Sequence, residues 1–294
     1  MRRAMARFGR ISQDGRRSMA LVSVPFAYAV LLLALPLGAV VLFSFWSQDF
    51  LEIDTSFTLA NYREALTEPV YRQLLLRSLW ISGMVTLVTV LLAFPIAYFV
   101  SFHVPPGRKS LWLFLITIPF WTSYLIRVFL WKVILGFNGV LNSSLIGIGL
   151  IDEPLTFILY NANAVVITLA HAFAPFAILP IFVALERIDR SLLEAAQDLG
   201  ENRVTTFLRV TLPLAMPGVV AAALIVFIPT IGDYVTPVQV GGSSGRMISN
   251  MIQVQFLRLN NAPLGAALAI MAMVSVTVIA LTFIWLNRKW LRSR

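Results

Sequence analysis

The stretch SLLEAAQDLGENRVTTFLRVTLPLAMP, residues 191–217, is the long polar interruption between apolar runs in this chain, and its residues are ordered for local structure. Ser191 followed three residues later by Glu194 has the spacing of a capping box, in which each side chain satisfies an orphan backbone N–H at a helix start. A helix is therefore predicted from Leu192. Leu192, Ala196 and Leu199 fall on one face at helical spacing with Ala195 beside them, and the two alanines let a partner surface approach the backbone closely. Gly200, free to take the left-handed conformation, ends that helix, and Asn202 is placed to cap a second one through Val204, Phe207 and Leu208. Pro213 and Pro217 open the next apolar run. Read as a pattern alone, the stretch also suits an amphipathic helix lying on a membrane surface.

What lies on either side decides between a soluble and a membrane fold. Of 294 residues, 59% are hydrophobic and 13% charged, against about 45–50% and about 25% in soluble domains. The formal charge of +9 could serve nucleic acid, but the bases sit in tails and loops between apolar runs rather than in one aromatic-laced patch. Anionic lipid headgroups are the expected partner, and no nucleic acid is. With no cysteine in the chain, disulfides, thiol catalysis and cysteine metal sites are excluded.

Working outward toward the amino terminus, the first seventeen residues carry six arginines, and an uncharged run extends from Ser18 to Gln48. That run is too long for a signal peptide's apolar region and no small-x-small site follows its end, so an uncleaved anchor helix is predicted. A polar excursion from Ser47 to about Arg77 precedes further spans near Leu79–Phe102, Leu111–Leu135, Ala164–Leu185, Leu214–Val235 and Gly265–Leu286. The fold class is thus an all-α membrane protein with six transmembrane helices, one domain over residues 1–294, with a basic tail over 1–20 and a polar loop over 187–212. Pro95, Pro119, Pro175, Pro180, Pro217 and Pro229 interrupt the spans, and a bundle tolerates them where neighbours satisfy the freed backbone.

Basic residues set the orientation. The amino-terminal tail, the 103–110 loop, the 186–212 loop and the carboxy-terminal tail hold sixteen of them, whereas the other side holds Arg63, Arg72, Arg77, Arg246 and Arg258. Both termini and the 187–212 loop are expected in the cytoplasm.

Few groups could carry chemistry. No phosphate-binding Gly-x4-Gly-Lys-Ser/Thr loop is present, so the chain does not hold ATP by that device. Gly241-Gly242-Ser243-Ser244-Gly245 reads as a turn. His103 and His171 are separated by topology, so no metal site is expected, and His171 is read either as a group facing a wet interior or as a neutral ring bonded to a backbone carbonyl. A hydrolase would need Gly-x-Ser-x-Gly or paired carboxylates within the membrane, and neither occurs. Asp233, in Ile231-Gly232-Asp233-Tyr234, is the one acid near the apolar body of a span. It is a candidate for meeting a cation, or else an interfacial helix cap. Arg127 is either a pathway residue or a side chain reaching to the outer interface.

Two resemblances sharpen this reading. Glu194-Ala195-Ala196, Asp198, Gly200, Phe207, Leu212 and Pro213 resemble the EAA loop of binding-protein-dependent ABC importer permeases of type I, the MetI-like fold; Glu201 stands where that family often has a small residue. The resemblance implies that this loop forms coupling helices docking on a cytoplasmic ATPase. Residues 119–142 with Trp121, Tyr124 and Arg127, the Gly232-Asp233-Tyr234-Val235-Thr236-Pro237 run, and the segment from Met247 to Ala267 are similar to spermidine/putrescine importer permeases, with Ala262 where Asn-Trp-Pro is common. The resemblance implies a bacterial inner-membrane subunit with no cofactor of its own. Its implied partners are two ABC ATPase subunits that bind the ATP, a second homologous permease subunit, and an external solute-binding protein. It implies a polyamine substrate, with an opine or another small amine as the alternative; Asp233, Tyr234, Trp121, Tyr124 and Arg127 are the pathway candidates. The rival class is an ATP-independent secondary transporter or channel, which would couple through intramembrane carboxylates or a filter.

Overall fold

The computed structural model describes residues 13–50 and 52–292; most of the basic tail, residues 1–12, lies outside them. Helix α1 runs Gln13–Ser44, and most of its 24-residue apolar part, Leu21–Ser44, is exposed, as a lipid-facing anchor requires, while its last residue, Ser44, is buried. Its carbonyl end is closed from a distance. In the short helix α2, Ala60–Thr67, the Asn61 amide donates to the carbonyls of Ser44 at 3.1 Å and Trp46 at 2.6 Å, and the Tyr62 hydroxyl bonds Ser44 Oγ at 2.7 Å. Between them, strands β1 (Ser47–Asp49) and β2 (Glu52–Asp54) pair antiparallel.

Helix α3 spans Pro69–Phe102 and starts well before the predicted Leu79. Pro69 supplies a preset φ at the first turn, and Tyr71, Leu74 and Leu75 pack against a buried cluster that includes Ala65, Ile248, Leu264 and Leu268, so the first turns bury a face instead of forming a loop.

The predicted continuous span Leu111–Leu135 is not continuous. Helix α4 (Pro106–Thr117) runs into a 3-10 turn at Ile118–Trp121 and then α5 (Tyr124–Ile134) leaves at 88°. Pro119 lacks a donor for the ladder, and Thr122 and Ser123 are extended, with ψ of 145° and 138°. Counting this broken pair as one span, six helical segments among the described residues are long and apolar enough to cross a membrane.

After α6 (Val140–Gly147), Asn142 is fully buried and holds the following loop, accepting from Leu155 N at 3.0 Å and donating to Gly136 O at 3.1 Å. Helices α7 (Ala162–Glu186) and α10 (Leu212–Gly232) pack with α3 around buried Ala93, Ala97, Ala177, Ala215 and Ala222. Small residues suit helix contacts in lipid, where close backbone approach replaces the hydrophobic drive. Gly218 marks the closest approach, since a Cβ there would stand 2.5 Å from Ala184 Cβ and 2.6 Å from the Pro180 carbonyl. Between α7 and α10 lie α8 (Arg190–Asp198), α9 (Arg203–Thr206) and a π-helical turn, Phe207–Thr211. Pro213 offers no N–H to the Arg209 carbonyl, and the turn before it widens accordingly. Helices α11 (Val235–Val240), α12 (Ile248–Leu257), α13 (Ala262–Leu286) and α14 (Arg288–Arg292) complete the described chain.

Candidate functional site

The polar loop folds much as its residues direct, with a different start. Helix α8 begins at Arg190, not Leu192, because Asp189 caps it, its carboxylate accepting from Ser191 N at 3.0 Å. That hydrogen bond holds the exposed Asp189 carboxyl below its usual range. A carboxylate is a stronger acceptor than the Ser191 hydroxyl, so the Ser191–Glu194 capping box does not form. Glu194 is consequently released. It is exposed and makes no hydrogen bond or ion pair among the described residues. Gly200 ends the helix with φ +87°, and Asn202 caps α9, accepting from Thr205 N at 2.9 Å. Glu201 pairs with Arg209 at 2.5 Å across the turn between them.

One face of this unit is anchored and the other is free. Leu193 packs on the core, and the Phe207 ring sits edge-on to Phe94 at 5.6 Å and Tyr98 at 5.9 Å. Leu212 and Pro213 are half-buried where α10 begins. Facing away, Glu194, Ala195, Asp198 and Gly200 are exposed, Ala196 is half-buried, and Leu199 is 86% exposed. Asp198 lies in the last turn of α8, where the helix dipole disfavours an anion. Neither Asp198 nor the bare Leu199 serves the helix on its own account, and together they form a mixed acidic and apolar face.

At the opposite end, the break between α10 and α11 collects the second group. Asp233 is half-buried, and both of its carboxylate oxygens are engaged: Oδ1 accepts from Val235 N at 3.0 Å and Oδ2 from the Tyr124 hydroxyl at 2.9 Å. Tyr124 also bonds Thr236 Oγ1 at 2.8 Å. From α12, Ser249 Oγ donates to the Asp233 carbonyl at 2.7 Å and Asn250 to the Tyr234 carbonyl at 2.8 Å. Asp233 thus ends α10 and accepts from the first residue of α11, and among the described residues its side-chain hydrogen-bond partner is Tyr124. Trp121 stands elsewhere, 76% exposed and edge-on to Phe114 at 5.5 Å. Tyr234 lines an apolar cleft of about 740 Å³ between α10, α12 and α13.

Arg127 lies over the Phe120 ring at 5.8 Å, and its Nε and Nη1 are buried with no partner among the described residues. His171 is not bonded to a backbone carbonyl; its Nδ1 accepts from Trp131 Nε1 at 3.1 Å, which fastens α5 to α7. Lys132 donates to Gln239 Oε1 at 3.2 Å and so ties α5 to α11. Sequence reasoning missed a charged cluster at the loop end, Ser101, Lys109, Glu186 and Arg190. The spacing of Glu186 and Arg190 signals an i,i+4 pair, but Lys109 arrives from 77 residues away.

Residues 16–292 match the family described as Binding-protein-dependent transport system inner membrane component. The chain is 36% identical over 257 residues to the Spermidine/putrescine transport system permease protein PotB of Escherichia coli (strain K12), covering 87% of this chain and 92% of that one. Its fold superposes on a bacterial ABC transporter involved in the import of the acidic polysaccharide alginate with a TM-score of 0.72 at 20% identity, over 96% of this chain and 99% of the other. The inward facing MetNI methionine ABC transporter gives 0.54 at 19% identity, over 76% and 99%.

Proposed function

Because the chain belongs to the family of binding-protein-dependent transport system inner membrane components, the membrane permease subunits of ABC importers, we propose that its cargo is a polyamine, spermidine, putrescine or a related small cationic amine. The subunit transports and is not itself an enzyme. We place the 187–212 loop in the cytoplasm as the docking element for one of two ABC ATPase subunits, with a homologous second permease subunit beside this chain and a solute-binding protein on the outer face. The observation that carries the reading is α8: a capped helix that leaves Glu194, Ala195, Asp198 and Leu199 bare at the end of the bundle. The cargo class rests on the polyamine permease to which most of the chain is similar. The reading is tested by tagging this chain, purifying it with its gene neighbours, and measuring which amines the co-encoded binding protein holds. Co-purification of an ATPase and a second permease, with spermidine or putrescine preferred, supports it. A binding protein selective for an opine would overturn the cargo.

Orientation follows from the basic residues. In a chain without cysteines, Ser12→Cys should react with a membrane-impermeant maleimide only from the cytoplasm and Ser243→Cys only from outside. Reaction of both from one side would refute the topology.

Asp233 is the acid through which this subunit would meet a cationic cargo, with Tyr124 beside it. A cation leaving water needs carboxylates, carbonyls or aromatic faces in exchange. Losing one partner of a charge-assisted contact costs on the order of 1.5–3 kcal/mol, roughly ten- to a hundredfold. Since the binding protein does most of the selection, Asp233→Asn is expected to lower spermidine uptake toward the smaller figure without abolishing ATP hydrolysis. Undiminished uptake would leave Asp233 as a helix cap alone.

A further inference from the structure

Glu186, the last residue of α7, brings three elements of the bundle and the first residue of α8 to a single oxygen. Its Oε1 accepts from Lys109 Nζ of α4 at 2.6 Å and from Ser101 Oγ of α3 at 2.7 Å, and Arg190 Nη2 of α8 stands 3.8 Å away. Arg190 completes the ring by donating to the Ser101 carbonyl at 2.7 Å and lying over the Phe102 face at 4.1 Å. Ser101 is buried, whereas the Glu186 side chain is 33% exposed. An ion pair so open to water contributes little to stability, and its contribution is geometric: it holds the ends of α3, α4 and α7 in one register with the start of α8.

The α4 segment that carries Lys109 runs through the 3-10 turn to Tyr124, whose hydroxyl bonds Asp233 at the opposite end. A displacement of α8 therefore has a route of contacts, through the Arg190–Glu186 ion pair and the Glu186–Lys109 hydrogen bond, into the broken crossing and into the side chain that touches Asp233. On the carboxyl-terminal side of α8, Gly200 has no neighbour that a Cβ would meet within 4 Å, the Glu201–Arg209 pair stays within the loop, and the next hold on α3 is the uncharged contact of Phe207 with Phe94 and Tyr98. We propose that Glu186 is the positioning residue that transmits the movement of α8 to α3, α4 and α7, so that it governs how much transport each hydrolysis event yields. The proposal rests on α8 being the ATPase-docking helix.

The test uses the complete complex in proteoliposomes with its ATPase and binding protein, and spermidine as the probe. Glu186→Gln keeps the shape and removes the charge; the spermidine taken up per ATP hydrolysed should fall about tenfold, the scale of one charged hydrogen bond lost, and Glu186→Asp should restore at least half of it. Lys109→Gln opens the same contact from the other side and should lower the same ratio. A normal ratio in Glu186→Gln and Lys109→Gln overturns the proposal. So does a fall of hydrolysis and uptake in equal proportion, the mark of a merely structural role. Failure of Glu194→Lys to uncouple in the same assay would instead remove the docking reading itself, so the two failures are separable.

Discussion

Glu194→Lys should abolish uptake driven by the binding protein, and Gly200→Val should do the same, while both variants still insert into the membrane. Glu194 is exposed and has no partner among the described residues, so reversing its charge costs the isolated chain almost nothing and acts only on whatever docks against α8. Gly200 fails differently. Its φ of +87° belongs to the left-handed region, which costs a side-chain-bearing residue roughly 1–2 kcal/mol, and a β-branched valine is among the worst suited to it. No crowding contributes, because a Cβ there meets nothing within 4 Å. The turn therefore re-forms elsewhere, and the α8 face swings away from the α9 entry that Asn202 caps. Uptake and stimulated ATP hydrolysis at wild-type levels in both variants would show that α8 is not the docking element.

Gly218→Val should prevent the bundle from forming a stable fold. The added Cβ would fall 2.6 Å from the Pro180 carbonyl oxygen and 3.2 Å from Ile181 Cα, and backbone atoms in a packed helix cannot step aside as a side-chain tip can. Overpacking costs about 1–3 kcal/mol when the neighbours are side chains; with backbone on the other side, α7 and α10 must separate along the contact that Ala177, Ala215 and Ala222 line. Purified in detergent, the variant should aggregate on size exclusion or lose its cooperative thermal transition. Gly83→Ala in α3, where a Cβ meets nothing within 4 Å, should leave both unchanged. A Gly218→Val protein as stable as the parent would mean that α7 and α10 are not packed this closely.

The parts of this architecture that were legible in the sequence are those set by local chemistry. A glycine after an amphipathic turn and an asparagine before the next one act within a few residues, so the ends at Gly200 and Asn202 could be read directly. The start of α8 was misplaced for an equally local reason, since Asp189 is a better acceptor than Ser191 and sits two residues earlier. Length and hydropathy marked the crossings, but they carry no information on bending. Trp121, Arg127 and Lys132 could be read as one continuous span only because the extended Thr122 and Ser123 leave no compositional trace. Contacts set by tertiary packing were out of reach altogether. Tyr124 meets Asp233 across 109 residues, Lys109 meets Glu186 across 77, and Asn61 closes α1 from a helix with no apparent link to it. Asp233 could be found because an acid near an apolar span is costly; that its carboxylate is already held by Val235 N and Tyr124 required coordinates.

This chain is expected to move a polyamine under the power of ATP, with α8 as the docking helix and not an ion gradient as the source. That is tested most directly by reconstituting the chain with its second permease subunit and ATPase in proteoliposomes, loading ATP inside, and following labelled spermidine with the binding protein outside. Accumulation should need both ATP and the binding protein, survive collapse of the proton and sodium gradients, and disappear in Glu194→Lys. Accumulation without ATP that collapses with the gradients would contradict this and make the protein a secondary transporter.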